Sequence, residues 1–343
     1  MKFKAAILEK LNSPLILDDI EMPKLDCGQV LVSVRRSGIC GAQLGEISGV
    51  KGEDKFLPHL LGHEGGGVVL ETGPGVTQVK EDDHVVLHWR KGAGIHSRTP
   101  KYRWGSRTVN AGWVTTFNEL AIVSENRVTP IPKDIDLEVA ALLGCAVTTG
   151  LGLINNDAQL KIGQSIAVFG CGGVGLSIVQ GAAMVSADPI IAIDIYDHKL
   201  KAAAEFGATH CINSTQTDLS SEVRKIAGSK GVDVVVDNTG IVKLIEAAYS
   251  LTAPQGRTIL VGVPRKGDNI SIYSLPLHFK KILTGSEGGD SEPHNDIPRY
   301  VRLAQAGKFR LDGLITHEFR LEQINDAIAL VRGGEAGRVL VKM

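Results

Sequence analysis

Three residues from separate stretches of the chain could bind one metal ion. Cys40 lies in a Gly-Ile-Cys-Gly run, His63 lies in a Gly-His-Glu run, and Cys145 follows much later. Two thiolates and an imidazole suit zinc, because soft sulfur and borderline nitrogen match its d¹⁰ shell. Three protein ligands leave the fourth tetrahedral position open for water or substrate, so the set predicts a catalytic zinc site. The other cysteines, Cys27, Cys171 and Cys211, are predicted to be ordinary small apolar residues.

A glycine-rich turn indicates a second site, for a dinucleotide. The apolar strand Ile166 to Phe169 runs into G-x-G-x-x-G and then a helix, from Val174 to Met184. The first glycine permits a tight turn, the second lets the backbone approach a pyrophosphate, and the third allows close helix-on-strand packing. The helix points its positive end at the phosphates. The predicted phosphate-binding residues are Gly170, Gly172, Gly173, Val174 and Gly175.

Asp194 is predicted to select the dinucleotide. It ends a second apolar strand, at the spacing from the glycines that is typical of a carboxylate bound to a ribose 2′-hydroxyl. A carboxylate repels a 2′-phosphate and no arginine follows at once, so we expect NAD and not NADP. The alternative, a helix N-cap, fits Asp197 better. Lys199 is a candidate contact for the ribose, and its alternative is a solvated lysine.

These motifs together resemble the zinc-dependent medium-chain dehydrogenase/reductase superfamily, which includes alcohol, sorbitol and threonine dehydrogenases. The similarity spans nearly the whole chain, and its zinc signature matches the run from Gly62 to Gly67, with Gly73 and Val76. The resemblance implies that zinc is held by Cys40, His63 and Cys145. It also places Glu64 behind the metal, able to coordinate when water or substrate leaves; the alternative is a surface carboxylate.

The resemblance implies further roles and exposes departures. Thr149 is expected to pack against the nicotinamide, Arg338 to reach the pyrophosphate, and Trp89 to line the substrate pocket. Many relatives hold a second, structural zinc with four cysteines, but residues 89–113 contain none here, so we expect one zinc per chain. Relatives also carry a Ser or Thr two residues after the first ligand, and often a histidine beyond it, to pass the substrate's proton onward. Ala42 and Gly45 stand at those positions.

The same cysteine-free segment is strongly basic. It carries six positive side chains, and no Asp or Glu occurs between Asp83 and Glu119. One interpretation is a clamp for an anionic substrate, such as a sugar phosphate, a nucleotide-sugar or an acyl thioester; the other is a solvated or subunit-packing loop. The basic residues are Arg90, Lys91, Arg98, Lys101, Arg103 and Arg107.

The length of the chain and the order of its predicted strands and helices indicate an α/β protein with two domains. The 343 residues exceed one ordinary core. Short strands separated by Gly and Pro fill the first part, whereas strands and helices alternate from Gln164. By the resemblance, these are a GroES-like β-barrel catalytic domain, residues 1–147 and 286–343, and a Rossmann domain with a doubly wound parallel sheet, residues 148–285.

Charge and hydropathy exclude several classes of protein. The 37 basic and 38 acidic residues nearly balance, which argues against nucleic-acid or membrane-surface partners. No apolar run is long enough to span a bilayer, and the N-terminus does not read as a signal peptide. Five cysteines, two of them assigned to metal, argue against a disulfide framework. We therefore expect a cytoplasmic protein, and a homo-oligomer, either a dimer or a tetramer.

The function predicted from these sites is reversible hydride transfer between NAD and a secondary alcohol, with a ketone as the product. Zinc as a Lewis acid lowers the pKa of the substrate hydroxyl. Because Ala42 supplies no relay, we expect an ordered water, the nicotinamide ribose or a neighbouring substrate hydroxyl to replace it, which favours a polyol, cyclitol or sugar derivative. Two alternatives stay open: an epimerase or cyclase of the same fold that does not consume NAD, and a non-catalytic dinucleotide-binding protein.

Overall fold

The computed structural model describes residues 1–343 and divides into two compact units. The first unit comprises residues 1–146, 292–307 and 311–343, and the second comprises residues 147–291 and 308–310. The chain therefore leaves the first unit for residues 147–291, returns to it, and leaves it again briefly at residues 308–310.

The elements in chain order are as follows. The strands are β1 (Lys2–Leu8), β2 (Ile16–Glu21), β3 (Gln29–Ile39), β4 (His59–Leu60), β5 (Glu64–Thr72), β6 (His84–His88), β7 (Lys101–Trp104), β8 (Arg107–Asn110), β9 (Leu120–Ser124), β10 (Val128–Ile131), β11 (Ile166–Phe169), β12 (Ile190–Asp194), β13 (His210–Asn213), β14 (Val232–Asp237), β15 (Thr252–Leu260), β16 (Ile282–Gly285), β17 (Ile315–Arg320) and β18 (Arg338–Lys342). The α-helices are α1 (Gly41–Ser48), α2 (Leu137–Leu143), α3 (Ala146–Gly152), α4 (Gly173–Met184), α5 (Asp197–Glu205), α6 (Leu219–Ala227), α7 (Val242–Leu251), α8 (Pro293–Gln305) and α9 (Ile324–Gly333).

The first unit is built from a closed barrel and a larger sheet. The barrel joins β1, β2, β7, β8 and β4 in that order. The sheet has the order β10-β6-β5-β3-β18-β17, with β9 paired to β3 as well. Strand β3 is therefore central, since β5, β9 and β18 all pair with it in antiparallel register. This arrangement confirms the β-barrel-like domain predicted from the many short strands.

The second unit is a doubly wound sheet of six parallel strands in the order β13-β12-β11-β14-β15-β16. Its central strands are predominantly apolar, as expected where helices cover both faces of a sheet. All four residues of β11 are buried, and so are the first four of β12. The strand order reverses between β11 and β14, and ligands of such sheets bind at the carboxyl ends of the strands near this reversal.

Two features were not predicted. The basic segment contains a β-hairpin, β7 and β8, whose register pairs Lys101 with Asn110 and Trp104 with Arg107. The other is the length of β3, which runs to Ile39 and so ends directly before Cys40. No helix by itself has the length and apolarity that a membrane crossing requires, although the consecutive helical stretches 137–143 and 146–158 would together qualify on length and composition alone.

Candidate metal and dinucleotide sites

The three predicted zinc ligands meet at one point in the first unit. One ligand atom each from Cys40, His63 and Cys145 lies within 4.8 Å of the other two. Cys145 is buried, and the other two residues are partly buried. Separate segments of the chain therefore converge on a set of two sulfur atoms and one nitrogen.

Each ligand sits at the end of a regular element. Cys40 is the residue before α1, with extended backbone angles, His63 precedes β5, and Cys145 follows α2 after one residue. Two glycines bring the segments together. Gly62 has φ +90°, and a Cβ there would lie 2.3 Å from the Thr116 hydroxyl; a Cβ on Gly144 would lie 2.4 Å from a β6 carbonyl oxygen. Only glycine fits these positions without moving the backbone.

The pKa values of the two thiols are shifted in opposite directions. A hydrogen bond from Cys145 holds the pKa of Cys40 well below its ordinary value, with help from His63. The same bond raises the pKa of the Cys145 thiol, and burial raises it further. Burial disfavours the charged form of His63, but the Cys40 thiolate, Glu64 and Glu46 outweigh it and raise the pKa of that imidazole. A cation bound between these side chains would therefore be stabilised by the negative charge around His63.

Glu64 lies behind this cluster and pairs with Arg338. Glu64 is fully buried, at 0% exposure, and its Oε1 accepts a hydrogen bond from Nη2 of Arg338, the first residue of β18. Burial raises the pKa of Glu64, while Arg338 opposes that shift. Gly38 makes room for the pair, because a Cβ there would lie 2.6 Å from the Glu64 carboxylate oxygen. Glu64 is therefore an interior carboxylate with one oxygen paired.

Gln43 is a residue of this site that sequence reasoning missed. It is fully buried in α1, its Oε1 accepts from the Cys40 backbone N–H at 2.8 Å, and its amide contacts Nδ1 of His63. The second nitrogen of a metal-binding histidine usually bonds a carboxylate, a carbonyl or water, which fixes the ring orientation. Here a neutral amide does so. The sequence signal was its position three residues after Cys40, at the helix spacing that returns a side chain to the capping position.

The residues present fit a zinc ion. His63 Nε2 and Glu64 Oε2 are buried and have no hydrogen-bond partner. Buried polar atoms are rarely left unpaired, and a bound cation would give both atoms a partner. A neutral imidazole nitrogen beside two sulfur atoms is a donor set that zinc prefers, with one position left open.

Trp89 borders the cluster. Its ring lies 6.5 Å from the His63 ring, centroid to centroid, and the Arg90 guanidinium lies 6.0 Å from the Trp89 centroid. The backbone carbonyl of Trp89 accepts a hydrogen bond from Arg127. The aromatic side chain predicted to line a substrate pocket is thus next to a predicted ligand.

The glycine-rich turn lies in the second unit, between β11 and α4. Gly170 has φ +86°, and a Cβ on Gly175 would lie 2.0 Å from the Gly170 carbonyl oxygen. A Cβ on Gly172 would meet no protein atom within 4 Å. Gly173 and Val174 open the helix. The turn therefore leaves open space in front of its middle glycine, on the side where a phosphate would approach.

Asp194 ends the neighbouring strand β12 and faces this turn. Its Oδ2 accepts from the Cys171 N–H at 2.7 Å, and its Oδ1 accepts from the N–H of Ile195 and of Tyr196. These bonds fix the carboxylate beside the glycines. The ammonium of Lys199 lies 4.9 Å from the Tyr196 ring centroid. The N-cap expected at Asp197 is wrong, because α5 already begins at Asp197 and Tyr196 precedes it.

Thr149 lies in α3, which directly follows Cys145, and its side chain is buried. The Arg338 guanidinium pairs with Glu64, the carboxylate behind the metal cluster. The predicted contacts of both residues with NAD stay predictions.

Two of the six basic side chains in residues 89–113 are paired with carboxylates, although the segment itself contains no acidic residue. Arg103 pairs with Glu21 of β2, and Arg107 pairs with Glu9. The Arg107 guanidinium also lies 4.7 Å from the Trp104 ring centroid. The acidic partners come from distant parts of the sequence, so a count within the segment could not reveal them.

Comparisons with known proteins agree with this geometry. Residues 26–133 match the alcohol dehydrogenase GroES-like domain, and residues 173–306 match the zinc-binding dehydrogenase family. The chain is 32% identical to S-(hydroxymethyl)glutathione dehydrogenase of Escherichia coli over 369 aligned positions, with 100% of both chains covered. This chain belongs to the zinc-dependent medium-chain dehydrogenases. It is accordingly an oxidoreductase of small molecules, with zinc and a nicotinamide dinucleotide as cofactors.

Solved structures of the family share the fold over its full length. A zinc-binding-domain alcohol dehydrogenase from Burkholderia ambifaria superimposes with a TM-score of 0.91 at 29% identity, covering 100% of this chain and 99% of its own. Benzyl alcohol dehydrogenase from Acinetobacter calcoaceticus gives 0.90 at 27%, with the same coverage. The predicted combination of a GroES-like domain with a Rossmann domain is confirmed.

Proposed function

We propose that this dehydrogenase interconverts a secondary alcohol and a ketone, with NAD as the hydride acceptor and a polyol, cyclitol or sugar derivative as the alcohol. The observation that carries the proposal is the convergence of Cys40, His63 and Cys145 within 4.8 Å, with a buried unpaired nitrogen among them. Three ligands, and not four, characterise catalytic zinc.

The proposed roles follow from position. Cys40, His63 and Cys145 hold zinc, and Gln43 orients the imidazole through Nδ1. Glu64, kept in place by Arg338, would offer a carboxylate oxygen as a fourth protein ligand when water or substrate leaves. Bound zinc supplies a Lewis acid that lowers the pKa of the substrate hydroxyl, and the dinucleotide supplies a hydride acceptor.

The second unit is proposed to bind NAD through the turn from Gly170 to Gly175, with Thr149 at the nicotinamide and Lys199 near the ribose. The Asp194 carboxylate, fixed by backbone N–H groups, supports selection of NAD, because a 2′-phosphate would face a negative charge.

The space at the start of α1 supports a polyhydroxylated substrate. Gly41 and Ala42 are exposed, and a Cβ on Gly41 would meet no atom within 4 Å. Small residues beside Cys40 leave room for a polar substrate. Trp89 forms an apolar wall on the His63 side, and Arg90 or Lys91 next to it would suit an anionic substituent.

The test is a screen for NADH release by purified protein. The substrates are polyols, cyclitols, sugar phosphates and nucleotide-sugars, with simple secondary alcohols and S-(hydroxymethyl)glutathione for comparison. The proposal expects kcat/KM for a polyhydroxylated secondary alcohol to exceed that for a simple one. A preference for S-(hydroxymethyl)glutathione or for simple alcohols would overturn the substrate class, and turnover without NADH accumulation would favour the epimerase or cyclase.

Three expectations accompany the proposal and stay predictions. They are a cytoplasmic location, a dimer or tetramer of identical chains, and domain boundaries at residues 147/148 and 285/286. Gel filtration with light scattering tests the oligomer.

A further inference from the structure

Helix α1 carries a carboxylate one turn beyond the missing hydroxyl. Glu46 follows Ala42 by four residues within α1, so the two side chains lie on the same face of the helix. The Cα–Cβ bonds of a helix tilt toward its N-terminus. The Cα–Cβ bond of Glu46 therefore points back toward the turn that contains Ala42.

The face that carries Glu46 is the face that meets the metal cluster. At 100° per residue, Glu46 lies about 40° from Ala42 and about 60° from Gln43 around the axis, that is, between them. Gln43 contacts His63 directly. The negative charge of Glu46 also helps to raise the pKa of His63, so the carboxylate is close enough to act on the cluster electrostatically.

The Glu46 carboxylate is available to accept a proton. Its carboxylate takes part in no hydrogen bond and no salt bridge, although Glu9, Glu21 and Glu138 are each paired with an arginine. It is partly buried, and the neighbouring positions toward Cys40 are an exposed alanine and glycine. Glu46 therefore offers an unpaired carboxylate that is still reached by solvent.

We propose that Glu46 is the proton acceptor of alcohol oxidation in this chain, in place of the hydroxyl absent at Ala42. The inference rests on the proposed function and names a residue for it. In the forward reaction, the substrate O–H bond breaks and its proton passes to a Glu46 carboxylate oxygen, directly or through one water or substrate hydroxyl. The carbinol C–H bond breaks with its electron pair, which leaves as hydride to the oxidised dinucleotide, and the carbonyl forms. Partial exposure lets the carboxylic acid return its proton to solvent.

This role also fits a polyhydroxylated substrate. A carboxylate offers two acceptor oxygens, so Glu46 can receive the reacting proton and a hydrogen bond from an adjacent substrate hydroxyl. A simple alcohol offers only one of these contacts.

The test compares variants on the alcohol that the wild type oxidises best. Glu46→Gln keeps the shape and removes the proton-accepting group, and Glu46→Asp keeps the group on a shorter chain. Glu53→Gln, an exposed carboxylate in the loop after α1, controls for the loss of one charge. Zinc per chain and NADH affinity are measured for every variant, because a proton acceptor should leave both unchanged.

The expected result is a fall in kcat of about 10²-fold or more for Glu46→Gln, the usual worth of a positioned acid/base group. Glu46→Asp should retain at least about tenfold more activity than Glu46→Gln, and Glu53→Gln should match the wild type. The solvent deuterium isotope effect on kcat should grow in Glu46→Gln, since proton transfer becomes limiting. The double variant Ala42→Ser, Glu46→Gln should regain activity, because a hydroxyl restores a proton path.

Three results would overturn the inference. If Glu46→Gln keeps a kcat within about threefold of the wild type, Glu46 accepts no proton and the proposed function still stands. If its activity falls together with zinc content, or without a larger solvent isotope effect and without recovery by Ala42→Ser, the role is structural. If the wild type oxidises no alcohol at all, the proposed function fails and the role of Glu46 with it.

Discussion

The metal cluster and the dinucleotide turn are assembled in opposite ways. The turn is continuous in sequence, because β11, α4 and β12 follow one another and Asp194 bonds the backbone of the turn itself. The cluster collects Cys40, His63 and Cys145 from distant segments, and its support comes from β18 at the other end of the chain. The geometry of the dinucleotide turn is set by residues that are neighbours in the sequence. The geometry of the metal cluster depends on how distant segments of the chain pack together.

The largest expected effect is the loss of a ligand from the dispersed site. Cys40→Ser or Cys145→Ser should release the zinc and lower kcat/KM by at least about 10³-fold, because a Lewis acid contributes several kcal/mol to charge stabilisation. Elemental analysis and steady-state kinetics measure both effects. Cys27→Ser removes an exposed thiol and is the matched control. An active, zinc-free Cys145→Ser protein would refute the ligand assignment.

The local turn offers a sharper pair of substitutions. The methyl group added by Gly172→Ala would contact no protein atom, so the free energy of unfolding should be unchanged. The affinity for NAD should fall by about 10- to 100-fold, because the methyl group would occupy the space proposed for the phosphate. Gly175→Ala should instead lower the free energy of unfolding by about 1–3 kcal/mol, since its Cβ would overlap the Gly170 carbonyl. Calorimetry and thermal unfolding separate the two, with Gly333→Ala as a control in open space. Equal NAD affinity in Gly172→Ala and the wild type would argue against phosphate binding at this turn.

Support of the dispersed site can be tested through Gln43. Gln43→Leu removes the amide between Cys40 and His63, and the loss of such an outer contact typically weakens metal binding by about 10- to 100-fold. Gln43→Glu should keep most of the affinity, because a carboxylate at this position accepts from His63 Nδ1, as the outer partners of metal-binding histidines usually do. Competition with a chromophoric zinc chelator gives both values. Unchanged affinity in Gln43→Leu would mean that the fold alone orients the imidazole.

The smallest expected effect concerns cofactor choice at the local turn. The wild type should bind NAD at least about tenfold more tightly than NADP, about 1.4 kcal/mol, and Asp194→Ser should narrow the gap. Calorimetric titration with both dinucleotides measures it. Equal affinities in the wild type would show that Asp194 does not face the ribose.

Sequence patterns predicted most of the secondary structure around the dinucleotide turn. The bounds of β11 agree with those read from its apolar run, Asp194 ends β12 as predicted, and α4 begins one residue earlier than predicted. Parallel strands buried on both faces produce unbroken apolar segments, which are easy to recognise.

For the metal cluster, the sequence predicted the ligands but not the residues that support them. Residue type and family resemblance singled out the cysteines, His63 and Glu64, but not what lies behind them. In the sequence Gln43 looks like any other polar residue, and its contact with His63 arises only from the position of α1 in the fold. Likewise, Arg338 meets Glu64 only because β18 pairs with β3. Contacts across such sequence separations depend on strand pairing, which no local pattern encodes.

The most direct test of the account is X-ray absorption spectroscopy at the zinc edge of the purified protein, together with its metal content. The account predicts one zinc per chain, surrounded by two sulfur atoms at about 2.3 Å and two nitrogen or oxygen atoms at about 2.0–2.2 Å. Cys40→Ser and Cys145→Ser should each reduce whatever zinc remains to a one-sulfur environment. Two zinc ions per chain, or a shell of four sulfur atoms, would contradict the assignment of Cys40, His63 and Cys145 as a single open metal site.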